Sequence, residues 1–157
     1  MVKSLPISLL FLITLSAAGQ ARVVKLADLQ KVMTDPASEI KVINFWATWC
    51  GPCLKELPLF EKLNADRKDV AVTLVSMDLD LDPNPAKVHK FVARKKLASS
   101  VLILDETDPN TYLEKIDKDW SGALPATIVI NTRTGKRKLV EKELHAGDLE
   151  KLIDEVQ

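Results

Sequence analysis

The run Val42-Ile43-Asn44-Phe45-Trp46-Ala47 is rich in β-formers and leads through the short turn Trp49-Cys50-Gly51-Pro52-Cys53 into a segment whose apolar residues, Leu54, Leu57, Phe60 and Leu63, recur at helical spacing. A strand that feeds a helix through so short a turn is half of a β-α-β unit, and it points the chain toward an α/β architecture. Pro52 suits an early helical position, because the N–H it lacks has no helix carbonyl to serve there. Pro58 lies inside the same helix, where it removes a backbone donor and is expected to introduce a kink.

The pattern repeats on both sides of this unit. Leu26 to Thr34 reads as a helix with Leu26, Leu29, Val32 and Met33 on one side, stopped by Asp35-Pro36. Val70 to Met77 reads as a second strand, Asn84-Pro85 opens a helix running to about Leu97, Val101 to Leu104 is a short third strand, and Asp108-Pro109 caps a helix to about Ile116. Ala126 to Ile130 is a fourth strand. After the turn residues 131–135, Arg137 to Leu144 returns as a charged, alternating strand suited to a sheet edge. Asp148 to Val156 closes the chain as an amphipathic helix with Leu149, Leu152, Ile153 and Val156 inward. Strand-helix alternation followed by a hairpin and a helix predicts one α/β domain over 22–157, with a central mixed β-sheet flanked by helices. A length of 157 residues leaves no room for a second domain.

Both cysteines fall in the 50–53 turn. Two cysteines exclude a disulfide-stapled scaffold, and His89 and His145, the only histidines, lie too far along the chain to complete a zinc spacing motif with them. At a helix N-terminus the unpaired N–H groups and the macrodipole favour a thiolate, so Cys50 is expected to be the exposed, activated thiol. Two intervening residues bring Cys53 back beside it, close enough for a reversible Cys50–Cys53 disulfide. The chemistry this allows is thiol-disulfide exchange, in which Cys50 attacks a partner disulfide and Cys53 resolves the mixed disulfide. A structural disulfide is a poorer reading, since closing so short a loop removes little chain entropy. Haem attachment would need a histidine where Leu54 stands.

The segment Phe45 to Cys53 resembles the active-site segment of the thioredoxin superfamily, and Glu56-Leu57-Pro58 extends the likeness to the Trp-Cys-x-x-Cys-x-x-Glu-x-Pro pattern of its exported TlpA/ResA-like branch. Leu124-Pro125 stands where that superfamily carries a cis-proline facing the cysteines, and Gly135 matches its turn glycine. The resemblance spans residues 38–157. It implies a thioredoxin-like fold with one extra strand-helix unit between Cys53 and Pro125, and a thiol-disulfide oxidoreductase that works mainly as a reductant. It further implies substrate contacts at Trp49, Gly51, Pro52, Leu124 and Pro125, with the Leu124 backbone pairing with a bound chain. The implied partners are oxidised cysteine pairs of exported proteins, including apocytochrome c before haem attachment, with electrons arriving from a membrane-embedded thiol transporter. A monomer with no cofactor and no metal is expected. The rivals are an oxidant of the same fold and a non-catalytic thiol- or metal-binding module. The module would need a further His or Met beside the cysteines, and only Met33 and Met77 remain outside the N-terminal segment.

Asn44 departs from thioredoxin itself, which carries a buried aspartate six residues before its first cysteine to assist the second. In the TlpA/ResA-like branch the role is implied for Glu56. Spacing alone leaves two readings of Glu56: a partly buried carboxyl on the face of Cys53 one turn later, with its pKa raised by desolvation, or a solvated side chain paired with Lys55, Arg67 or Lys68. Leu124-Pro125 could equally begin a strand in trans. Trp46 and Trp49 read as packing residues around the turn, with Trp49 covering the thiolate, while Trp120 reads equally as a core anchor or a substrate rim.

Residues 1–21 have the layout of a secretory signal peptide: Lys3, an apolar run from Leu5 to Leu15, then the small residues Ser16, Ala17, Ala18, Gly19 and Ala21. Left uncleaved, residues 4–21 would be a minimal membrane anchor. Either outcome predicts a periplasmic or otherwise exported location, where disulfides persist. The 22 basic and 22 acidic residues balance, so a polyanion such as nucleic acid has no net field to hold it. Asp78-Leu79-Asp80-Leu81-Asp82 looks like the opening of a calcium loop, but Pro83 stands where its glycine and His89 where its glutamate should be, so it reads as a strand end and turn.

Overall fold

A computed structural model describes residues 21–157, so all but the last residue of the expected leader or anchor lie outside the described residues. The elements in chain order are β1 (Arg22–Val24), α1 (Leu26–Thr34), β2 (Ile40–Trp46), α2 (Gly51–Asp66), β3 (Val70–Ser76), a 3-10 turn (Asp78–Asp80), α3 (Ala86–Lys95), β4 (Ser100–Leu104), α4 (Pro109–Ile116), β5 (Ala126–Asn131), β6 (Arg137–Val140) and α5 (Asp148–Val156). All seven residues of β2 are buried, as expected for a strand with neighbours on both edges and helices on both faces.

The sheet runs β1-β4-β3-β2-β5-β6. β1, β4, β3 and β2 are mutually parallel, whereas β5 is antiparallel to both β2 and β6. The mixed sheet is therefore the expected one, with two strand-helix units, β3 with α3 and β4 with α4, between Cys53 and Pro125. Alternation along β2 sorts the core. Val42 and Trp46 pack with Leu57 and Phe60 of α2, Val88 and Phe91 of α3, and Leu149, Leu152, Ile153 and Val156 of α5. Ile43 and Phe45 face the other layer, with Leu29 and Met33 of α1 and Tyr112 and Ile116 of α4.

Three local expectations change. β1 was not anticipated; its three residues pair with Leu102 to Leu104 at the sheet edge, a long-range contact with no local pattern. The last strand stops at Val140 rather than Leu144, because the chain leaves the sheet edge and the Leu144 N–H turns inward to a carboxylate of α2. Trp120 is a core residue: its ring centroid lies 4.4 Å from that of Phe45, and its indole N–H donates to Ala123 O. Among the described residues no helix is long and apolar enough to cross a membrane.

Candidate active site

The cysteine turn sits at the carboxyl end of β2, the end at which open α/β sheets present their reactive groups. Cys50 is the N-cap of α2, with Gly51 and Pro52 in its first turn. Cys50 and Cys53 are joined as a disulfide with Cα atoms 5.3 Å apart, and Cys50 Sγ accepts the Cys53 N–H at 3.3 Å. One of the orphan donors of the helix therefore already points at the first sulfur, where it would stabilise a thiolate once the bond is reduced.

Cys50 is less open than expected. In the disulfide form it is 5% exposed, against 0% for Cys53, because its sulfur is bonded inward and lies over the start of α2. The open surface is carried by its neighbours: Trp49 is 51% exposed, and Gly51 and Pro52 are exposed beside it. A Cβ built on Gly51 meets nothing within 4 Å, so space for an approaching chain exists at that point.

The β2–β5 register sets the opposing wall. Phe45 faces Ala126 in antiparallel pairing, which puts Pro125 level with Trp46, where the cysteine turn leaves the strand. The Leu124-Pro125 peptide is cis, Pro125 is buried and Leu124 half-buried. The Trp120–Ala123 hydrogen bond and Glu141, which accepts the Ser121 N–H at 3.2 Å, fix the loop leading to it.

Glu56 is not the solvated side chain of the alternative reading. It is 1% exposed; Asn44 Nδ2 donates to its Oε1 at 2.7 Å and the Leu144 N–H to its Oε2 at 2.7 Å. Burial pushes its pKa up to about 7, against the opposing pull of those two hydrogen bonds; Glu143 adds a smaller upward push and His145 a smaller downward one. Arg67 pairs with Asp69 instead, and Lys68 donates to Asn64 O.

Asp78 is the residue that sequence reasoning passed over. It is 3% exposed, and its carboxylate accepts the Thr48 N–H at 2.9 Å, the Ser76 hydroxyl at 2.8 Å and the Thr48 hydroxyl. Together with the Met77 N–H on Trp46 O at 2.8 Å, these bonds clamp the backbone two residues before Cys50 to the end of β3. The only signal in the sequence was an aspartate directly after a strand, inside a motif read as a turn. Among the described residues no group of three or more His, Cys, Asp or Glu side chains is arranged to hold a metal ion.

The profile of the Redoxin family matches residues 17–153. The chain belongs to the Redoxin family. Over 55 residues it is 40% identical to a thioredoxin of Mycolicibacterium smegmatis, a stretch that covers 35% of this chain and 48% of that protein. The chain thus spans about half the length of the curated relatives it matches. Among solved structures, the fold is shared with a thioredoxin-related protein from Neisseria meningitidis serogroup B (TM-score 0.64, 22% identity, 74% of this chain and 84% of that one). It is also shared with StoA from Bacillus subtilis (TM-score 0.58, 21% identity, 74% and 84%). Within the Redoxin family, the thioredoxin-like arrangement of sheet, cysteine turn and opposing proline is the one expected from the sequence.

Proposed function

We propose that this Redoxin-family chain is an exported thiol-disulfide oxidoreductase that reduces disulfides of other exported proteins through Cys50 and Cys53. The observation that carries the reading is a Cys50–Cys53 disulfide at the start of α2 with a buried carboxyl, Glu56, one helical turn beyond the second cysteine. In the reduced chain the Cys50 thiolate, favoured by the N–H groups of α2, attacks one sulfur of a partner disulfide and releases the other as a thiolate. Cys53 then gives its proton to the Glu56 carboxylate and attacks Cys50 Sγ. The mixed disulfide breaks, and the partner leaves with both electrons as two thiolates, which become a dithiol by taking the proton held on Glu56 and one from solvent. The chain is left as the disulfide described here, to be reduced again by a dithiol donor, for which a membrane-embedded thiol transporter is the proposed class.

Trp49, Gly51 and Pro52 form the accessible rim, and Leu124, ahead of Pro125, is the proposed site of backbone pairing with the partner. Apocytochrome c before haem attachment is one partner of suitable chemistry, since it carries a cysteine pair that must be reduced. The leader-like residues 1–21 support the exported location. Insulin-disulfide reduction with the wild-type and Cys50→Ser chains tests the activity: turnover abolished by the substitution is expected, and no turnover in either chain would overturn the reading in favour of a non-catalytic binder.

A further inference from the structure

The present partners of Glu56 suit only one of its protonation states. Asn44 Nδ2 and the Leu144 N–H are both donors, which satisfies a carboxylate. A neutral carboxyl also carries an O–H, and that proton needs an acceptor. In a site 1% exposed, leaving it without one would cost about as much as a lost hydrogen bond.

An acceptor lies on the same side chain that now donates. Asn44 is fully buried, and its Oδ1 has no hydrogen-bond partner among the described residues. Its Nδ2 donates to Glu56 Oε1 at 2.7 Å and to Thr127 Oγ1 at 3.1 Å, with Ala126 O at 3.4 Å beyond. A half-turn of the amide would exchange the two ends and set Oδ1 against both Glu56 and Thr127. Each of those groups can then donate: a neutral carboxyl through its O–H, and the threonine hydroxyl by rotating its proton. The half-turn gives up the Ala126 O contact at 3.4 Å and moves the amide N–H groups to the side where Oδ1 now has no partner, so it is favoured only when Glu56 gains a proton that needs an acceptor.

We propose that Asn44 is the positioning residue that matches Glu56 in both protonation states, presenting Nδ2 to the carboxylate and turning to present Oδ1 when Glu56 takes up a proton. Thr127, two residues after Pro125, follows the amide by reversing its hydroxyl. Ala126 O loses its long contact with the amide, and the other neighbours keep their roles. The Leu144 N–H donates in either state, and Glu143 and His145 act on Glu56 through charge alone, with no hydrogen bond to it. Cys53, one turn earlier on α2, is the proton source in the exchange reaction. The inference deepens the reading of Glu56 as proton acceptor, but its test needs no turnover.

The experiment follows the Asn44 side-chain amide and the Glu56 carboxyl carbon by NMR in the disulfide form, across a pH range centred on about 7. The Asn44 amide protons are expected to shift with the same midpoint as Glu56 and to lose their hydrogen-bond contact with it on the acid side. Asn44→Leu is expected to raise the Glu56 midpoint by about one pH unit, because a donor to the charged form is worth more than an acceptor from the neutral one. Thr127→Val, which keeps the β-branched shape, should raise it by less and supplies the test if the Asn44 variant does not fold. Amide signals that stay flat while Glu56 titrates would overturn the proposal, as would an unmoved midpoint in Asn44→Leu. If Asn44 and Glu56 titrate together while the exchange rate ignores that midpoint, the coupling stands and the proton-acceptor reading of Glu56 falls.

Discussion

Replacing Glu56 by Gln keeps the side chain's shape and removes its charge, and the consequence for stability follows from the burial of that carboxyl. In the folded chain Glu56 holds its proton up to about pH 7, whereas the unfolded value is 4.5. Between those values the native state binds the proton and the unfolded state does not, so stability falls as pH rises through the window and the loss is complete above the folded pKa. A gap of about 2.5 pH units at 1.36 kcal/mol each is about 3 kcal/mol of destabilisation from this one group. The assay is urea unfolding of the disulfide forms of wild type and Glu56→Gln from about pH 4 to pH 8. Cys50 and Cys53 contribute nothing there, because disulfide-bonded cysteines do not titrate. The wild-type stability, measured relative to the variant, is expected to drop by about 3 kcal/mol across the range, equivalent to about 1.5 M in urea midpoint for a chain of this size. Parallel profiles, with a constant difference between the two proteins, would mean that Glu56 titrates alike in the folded and unfolded chains.

Asp78→Ala strands the Thr48 N–H, the Thr48 hydroxyl and the Ser76 hydroxyl together, so it should cost about 3 kcal/mol in urea unfolding; an unchanged midpoint would mean that the turn before Cys50 is held by other contacts. Trp49→Ala removes a side chain that is half in solvent, so stability should move by less than about 0.5 kcal/mol while KM for a protein disulfide rises several-fold in the insulin assay; an unmoved KM would take Trp49 out of the contact surface.

Elements built from local signals were legible in the sequence. Asp108 caps α4 by accepting the Asn110 N–H, and α5 runs over Asp148–Val156 with Leu149, Leu152, Ile153 and Val156 buried, as the spacing required. The cysteine turn was equally plain, because a strand, a Pro-containing turn and a helix follow one another within a few residues. Features that depend on distant partners were not. β1 pairs only with Leu102 to Leu104 at the sheet edge, and Trp120 is buried against Phe45 and the α1/α4 layer, both of them distant in sequence. Asp78 matters because Thr48, thirty residues earlier in the chain, has two donors to satisfy. For Glu56, spacing left burial and solvation open. Two contacts that no local pattern encodes decide it: Asn44 from the middle of β2, and the backbone of Leu144, which reaches α2 only because β6 ends early.

In the proposed exchange Cys50 forms the bond to the partner and Cys53 breaks it. A Cys53→Ala chain incubated with an oxidised protein substrate, then resolved on a non-reducing gel with the linked peptides identified by mass spectrometry, tests this directly. A stable adduct joined through Cys50 and released by dithiothreitol is expected, absent from Cys50→Ser. A Cys53→Ala chain that forms no adduct, or turns over as fast as wild type, would contradict this exchange.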